Sequence, residues 1–410
     1  MLSVDQALEI ILARIEVLPG SNNVGLLMSL GRILAEDIIA DIPIPPFDNS
    51  AVDGYAVRAE ETRGAGQDSP VSLRTAPDIP AGSDLPEPLL PGAAARIMTG
   101  APVPPGADAV VMIEDITREV PGTVEIHAEA RSKDYIRTAG EDVKPGDLVL
   151  ASGTRIRAAE VGMLATMGRT HVLTAPRPRV GILSTGDEVV DVEEGIPPPP
   201  GKIRNSNQWA LAALVREAGA VVEFRRHVRD DLAATEEVLS EWAFADPPVD
   251  VIVSAGGVSV GDRDYVKPAL EKLGSLDLWK VAMKPGKPLA FGRIGKTLFF
   301  GLPGNPVSAM VTFELFVRPA LAKLAGFRHG EQSRPLVHAE LKEDVRHSPG
   351  RREFVRAWTE TTEGRYFTKP TGAQGSGLLH SMTRANSLMI LSEESGDKHR
   401  GDRVEVMLLA

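Results

Sequence analysis

Cysteine is absent from all 410 residues, which removes disulfides, thiolate nucleophiles and cysteine-held zinc or iron–sulfur centres from consideration. The absence fits a reducing compartment. Aromatic residues make up only 5% of the chain, too few to suggest stacking along single-stranded nucleic acid. A basic excess is also missing: 45 Lys and Arg face 56 Asp and Glu, a net charge of -11. That balance argues against general affinity for nucleic acid or an anionic membrane, so any anionic ligand must meet a local basic patch. No apolar run approaches the roughly 20 residues that cross a bilayer. Asp5 and Glu9 stand where a signal peptide is basic and then apolar, while Leu8, Ile11, Leu12 and Ile15 recur at helical spacing. An amphipathic N-terminal helix and a cytoplasmic location are expected, with no membrane or nucleic-acid partner.

The length predicts several domains. Residues 1–52 read as helices and turns ending in a proline-rich extended stretch, and helical patterning returns over 143–176, so these two segments are expected to form one N-terminal domain. Between them, residues 53–142 alternate short apolar runs with Pro/Gly turns, the pattern of an inserted β module. From 177 to 326 strands alternate with helices, which predicts a doubly wound α/β domain whose ligands lie beyond the carboxyl ends of its strands. Pro197 to Pro200 make a stiff loop inside it. Residues 327–410 carry short alternating strands and are expected to form a small β barrel or sandwich.

Four strand exits of the α/β segment carry unusual residues. RVGILS runs into Thr185-Gly186-Asp187-Glu188, and the next strand is followed by Arg229-Asp230-Asp231. DVIVS opens into Gly256 and Gly257, then Ser259, Asp262 and Asp264, and LFF into Gly301-Leu302-Pro303-Gly304-Asn305-Pro306. Taken singly, Asp187, Glu188 and Asp230 also suit turns or helix caps, and Gly-Pro-Asn-Pro suits a helix start. In a parallel sheet all four exits gather at one edge, where Asp187, Glu188, Asp230 and Asp262 suit Mg²⁺ shared with a substrate phosphate. In LDLWKVAMKPGKP, read as one strand, Lys280 and Lys284 fall on the same face and suit an oxyanion; two solvated lysines are the plainer alternative. GRIGKT at 292–297 has two residues where a Walker A loop needs four before Gly-Lys-Thr, and no Ser/His/Asp set or histidine metal spacing stands out.

Together PPFDNSAVDGYAV, IMTGAPVPPGADAVVMIED, GILSTGDEVV, SAGGVSVGDRDYV, VAMKPGKPLAFG and GLPGNPVSAMVTF are highly similar to the molybdopterin molybdenumtransferase family, of the MoeA and gephyrin E-domain type. The resemblance covers nearly the whole chain. It implies that molybdenum from molybdate enters adenylated molybdopterin as the phosphoanhydride is hydrolysed and AMP released, with Mg²⁺ accompanying the nucleotide. It implies a homodimer whose clefts combine the α/β domain of one subunit with N-terminal and β-module residues of the other. By position, Asp187, Glu188, Asp230 and Asp262 match the family's cleft acids, and Asp53, Thr99 and Asp142 the residues lent by the insertion side. Lys280 and Lys284 match its basic pair, Ser376 its hydroxyl and Arg351 its arginine after Pro-Gly. Gly256, Gly257, Ser259 and Pro303 join the substrate-binding set through the strand exits. Which carboxylate is a general base and which hold metal stays open. Molybdopterin adenylyltransferase and other proteins of cofactor biosynthesis are candidate partners. The alternatives are adenylylation of molybdopterin, which the resemblance assigns to a lone α/β domain, and a non-catalytic scaffold of the gephyrin type.

Overall fold

The computed structural model describes residues 1–193, 197–257, 265–328, 330 and 333–409, without the side chains of 117–120 and 278. Two compact units result: Met1–Ala35, Gly153–Ala158 and His171–Ala410 form one, Glu36–Ser152 with Ala159–Thr170 the other.

The larger unit is built on a six-stranded sheet in the order Val221–Val228, Arg179–Thr185, Val251–Ala255, Thr297–Leu302, Pro288–Ile294, Ser275–Lys280. The first four strands run parallel and the last two join antiparallel. Alternate residues of one strand enter different cores: Ile182, Val251, Val253 and Phe300 belong to one cluster, Leu183, Ile252 and Phe299 to the other. A strand apolar on both faces needs cover on both. The helix Ser206–Glu217 supplies Leu211 and Val215 to the first face. Helices Leu232–Ala243 and Val266–Leu273 supply Leu239, Trp242 and Leu270 to the second. The doubly wound expectation holds.

The N-terminal segment divides differently from the expected 1–52 block. The helix Val4–Ala13, closed by a Ser3–Gln6 capping box, buries Val4, Ala7 and Ile11. These side chains, with Ile15, join the first core cluster, and residues 1–35 fall in the larger unit, while Asn22–Gly25 pairs with His171–Thr174.

After the α/β domain, strands Arg352–Thr362, Arg365–Pro370, Leu336–Leu341, Arg403–Leu408 and Ser387–Leu391 pair in ring order, and the last pairs back onto the first. The tail is therefore a closed five-stranded barrel rather than a sandwich. The pair Met283–Lys284 adds in parallel to Arg352 and Glu353 at its edge. In the smaller unit, six strands in the order Ala109–Met112, Gly54–Val57, Ala93–Ile97, Val71–Ile79, Thr123–Ile126, Ile116–Val120 form a mixed sheet. No helix among the described residues is long and apolar enough to cross a membrane.

Candidate active site

The strand register decides where the four exits lie. Thr185 pairs with Val228, Ser184 with Ala255, and Ala255 with Leu302, so the parallel strands end on nearly one rung. The following loops open onto a cleft of ≈ 840 Å³ lined by Thr185, Glu188, Asp230, Gly256, Gly257 and Pro303, among others. Two loops are tied to each other: the Asp187 N–H donates to Asp230 Oδ2 and the Asp230 N–H to Asp187 Oδ1, both at 3.4 Å. Asp230 is not the helix cap. Asp231 performs that task, accepting from the Ala234 N–H at 2.7 Å, which leaves the Asp230 carboxylate to the cleft. Nor do Asp187 and Glu188 start a helix; the next element is the two-residue strand Val189–Val190. Asp187 is exposed and is not among the residues lining the cleft; its carbonyl accepts from Lys202 Nζ at 2.5 Å.

The glycines act through shape. Gly256 and Gly257 have φ of +90° and +73°, the left-handed region that costs glycine least. A Cβ on Gly257 would stand 2.3 Å from Val266 Cγ2. The Gly256 N–H is already committed to Leu302 O at 3.1 Å, so it continues the ladder and is no free anion donor. Ser259 and Asp262 lie outside the described residues.

Several cleft residues carried no signal in the strand-exit pattern. Ser184, inside its strand, accepts from Asn205 Nδ2 at 2.8 Å and sits 3.1 Å from His227 Nδ1. Arg204 donates Nη1 to Asp191 O at 2.6 Å, and Asn207 donates Nδ2 to Gly304 O at 2.6 Å. Both residues line the cleft, and Arg204 Nη2 and Asn207 Oδ1 are buried without a hydrogen-bond partner. One spare donor and one spare acceptor on fixed side chains suit a ligand with both polarities. Arg204 ends the two-residue strand Ile203–Arg204 and Asn207 lies in the first turn of the helix that Asn205 caps, ordinary local roles that conceal them.

The basic pair is placed by a different device than expected. The strand ends at Lys280, Val281 donates its N–H to Lys287 O at 2.8 Å, and Met283–Lys284 leaves to pair with the barrel. Period-two reasoning across 280–284 therefore fails, because these residues are not one strand. Neither lysine is among the residues lining the cleft; Lys280 is register partner of Pro288, and Lys284 precedes Gly286 by two, both of which line it. Both lysines are exposed, and Lys284 Nζ lies 2.8 Å from Glu353 Oε1. Ser376 is drawn in by Asn305, whose Nδ2 donates to its Oγ at 3.0 Å, while Gly377 lines the cleft. Arg351 is exposed and adjoins Arg352, whose N–H donates to Ala282 O at 2.9 Å, beside the same lysine turn.

Three family models account for most of the chain: "MoeA N-terminal region (domain I and II)" over residues 2–168, "Probable molybdopterin binding domain" over 181–323 and "MoeA C-terminal region (domain IV)" over 338–409. The molybdopterin molybdenumtransferase of Haemophilus influenzae is 36% identical over 407 residues, 99% of this chain and 98% of that one. That of Nostoc sp. is 40% identical over 367 residues, 88% and 82%. The chain belongs to the molybdopterin molybdenumtransferase family. The solved molybdopterin biosynthesis moeA protein from Pyrococcus horikoshii OT3 superposes with a TM-score of 0.85 at 32% identity over 100% of both chains.

For a member of this family the acids raise the question of Mg²⁺. Among the described residues no three His, Cys, Asp or Glu side chains converge to hold a metal ion. Asp187, Glu188 and Asp230 therefore do not form such a group, and Asp262 lies outside the described residues. Glu188 and Asp230 on neighbouring exits do suit an ion that takes one or two carboxylates and completes its shell with water and phosphate. The long 3.4 Å backbone contacts leave lone pairs on Asp230 and Asp187 free.

In the smaller unit the family's expected residues split. Thr99 donates its N–H and Oγ1 to Asp53 Oδ1, both at 2.7 Å, and these bonds hold the Asp53 carboxyl below its ordinary value. Asp142 is exposed on a turn, with its N–H donated to Ile44 O at 3.0 Å. No hydrogen bond or ion pair of the described residues ties it to Asp53 or Thr99.

Proposed function

We propose that this chain transfers molybdenum from molybdate into adenylated molybdopterin and releases AMP by hydrolysis of the phosphoanhydride. Family membership makes it a transferase of molybdenum cofactor biosynthesis. The observation carrying the finer reading is the common rung: four parallel strands ending together open glycine-bordered and acidic loops onto one cleft.

Arg204 Nη2 and Asn207 Oδ1 would orient the ligand by its polar edge, and Gly256 and Gly257 leave room for the phosphates to approach. Lys280 and Lys284 act as point charges for the tetrahedral oxyanion. Mg²⁺ held by Glu188 and Asp230, when bound, offsets phosphate charge and fixes the anhydride's orientation. A carboxylate not engaged in that way takes the proton from the attacking oxygen. Asp53, with Thr99, and Asp142 belong in this reading to a cleft completed by a second subunit of a homodimer.

The test incubates the protein with adenylated molybdopterin, Mg²⁺ and molybdate. AMP release together with active cofactor supports the proposal. AMP formed only from ATP and free molybdopterin would assign the preceding adenylylation step instead.

A further inference from the structure

His347 and Glu353 are both buried, each 6% exposed, in a molecule whose acids are otherwise mostly solvated. His347 Nε2 lies 3.0 Å from Ser392 O, and Nδ1 lies 3.0 Å from Glu353 Oε2. The other oxygen of the same carboxylate, Oε1, is 2.8 Å from Lys284 Nζ. A carbonyl oxygen only accepts, so Nε2 carries a hydrogen. An ionised carboxylate oxygen also only accepts, so a second proton must lie between Nδ1 and Oε2. Without it two lone pairs would face each other at 3.0 Å out of water, a costly arrangement.

We infer that His347 and Glu353 form a charge-neutral anchor that positions Lys284 without cancelling its charge. Whether the shared proton resides on the ring or the carboxyl, the pair sums to zero and Lys284 keeps a full unit for an oxyanion. Two other charges face the pair. Arg356 acts on Glu353 electrostatically, and Asp397 Oδ1 accepts the His347 N–H at 2.8 Å; their signs oppose. His347 is thus a positioning residue. Remove its proton, and the buried Glu353 carboxylate neutralises the ammonium meant for the substrate. This rests on the reading of Lys284 as an oxyanion ligand.

The test compares His347→Gln, Glu353→Gln, the double variant and Lys284→Gln in molybdate titrations, by KM in the transfer assay and by calorimetric binding of molybdate alone. His347→Gln is expected to raise the molybdate KM and Kd by about tenfold, the scale of one unit charge facing a half-solvated anion. Its kcat and its KM for adenylated molybdopterin should stay within about twofold. The double variant should return molybdate binding to near wild type, since Glu353→Gln removes the uncompensated charge, whereas a merely structural role gives two losses that add. Glu353→Gln alone should leave molybdate binding nearly unchanged. A tightening of about tenfold there would mean that Glu353 had been cancelling Lys284 all along, and would overturn the inference even if His347→Gln fails to fold. If Lys284→Gln weakens molybdate binding and His347→Gln does not, the anchor alone is wrong. An unchanged molybdate dependence in Lys284→Gln removes the oxyanion reading itself.

Discussion

Asp230 shows how one residue is freed for chemistry by its neighbour. Asp231 satisfies the helix N-terminus, so the carboxylate before it can face the cleft at no cost to the helix. Asp230→Asn, nearly isosteric, should lower turnover by about two orders of magnitude while leaving the melting temperature unchanged. Steady-state AMP release and a thermal melt check both halves, and full activity would remove Asp230 from the machinery. Gly257 carries the opposite kind of constraint. Gly257→Ala places a Cβ against Val266 at a φ of +73° and should destabilise by about 1–3 kcal/mol in urea titrations. A neutral result would show that the loop relaxes freely. Of the residues, Asp230 and the glycines were legible because each ends a strand with a chemistry unusual for a turn. Ser184, Arg204 and Asn207 were not, because strand positions and a helix's first turn explain them locally, and only the fold brings them to the cleft.

At the scale of elements, the helical run after Pro306 contains a π-helical turn, Phe313–Val317, and turns Glu314 inward. Burial pushes the Glu314 carboxyl up, but hydrogen bonds from Arg318 and Arg334 outweigh it and hold it below its ordinary value of 4.5. Arg318 Nε lies 2.6 Å and Arg334 Nε 3.0 Å from Glu314 Oε2. A folded-state value below the unfolded one means the cluster's contribution is present above pH 4.5 and is lost as pH falls through the folded value. Glu314→Gln leaves the buried Arg318 and the half-buried Arg334 with only the exposed Glu217 as a counter-charge, and should cost about 3 kcal/mol at pH 7. The gap between variant and wild type should narrow in denaturant titrations below pH 4.5. A gap independent of pH would mean the ion pair is not its source. The alternating strands and helices were readable here because their apolar runs are buried on both faces. The break after Lys280 was not, since Val281 and Met283 are apolar as an unbroken strand requires, and only the barrel edge pulls Met283–Lys284 away.

At the scale of the molecule, the proposed homodimer makes a claim about shared sites. If Asp53 of one subunit serves the cleft of the other, Asp53→Asn and Asp230→Asn subunits should each be inactive alone. Mixed by co-refolding, they should regain about a quarter of wild-type activity, since random two-fold pairing leaves one cleft in four intact. Light scattering that shows only monomers, or mixtures with no regained activity, would exclude this arrangement. The order of the modules was visible in the motifs, but the allegiance of residues 1–35 was not. Their apolar spacing marks a helix without saying which core receives it, and the answer is the α/β core.

The most direct measurement loads the protein with one equivalent of adenylated molybdopterin and Mg²⁺, then adds molybdate and follows AMP in a single turnover. One AMP per bound pterin, released only after molybdate arrives and suppressed in Asp230→Asn, is the result this account requires. Release that ignores molybdate, or that proceeds unchanged in Asp230→Asn, would contradict it.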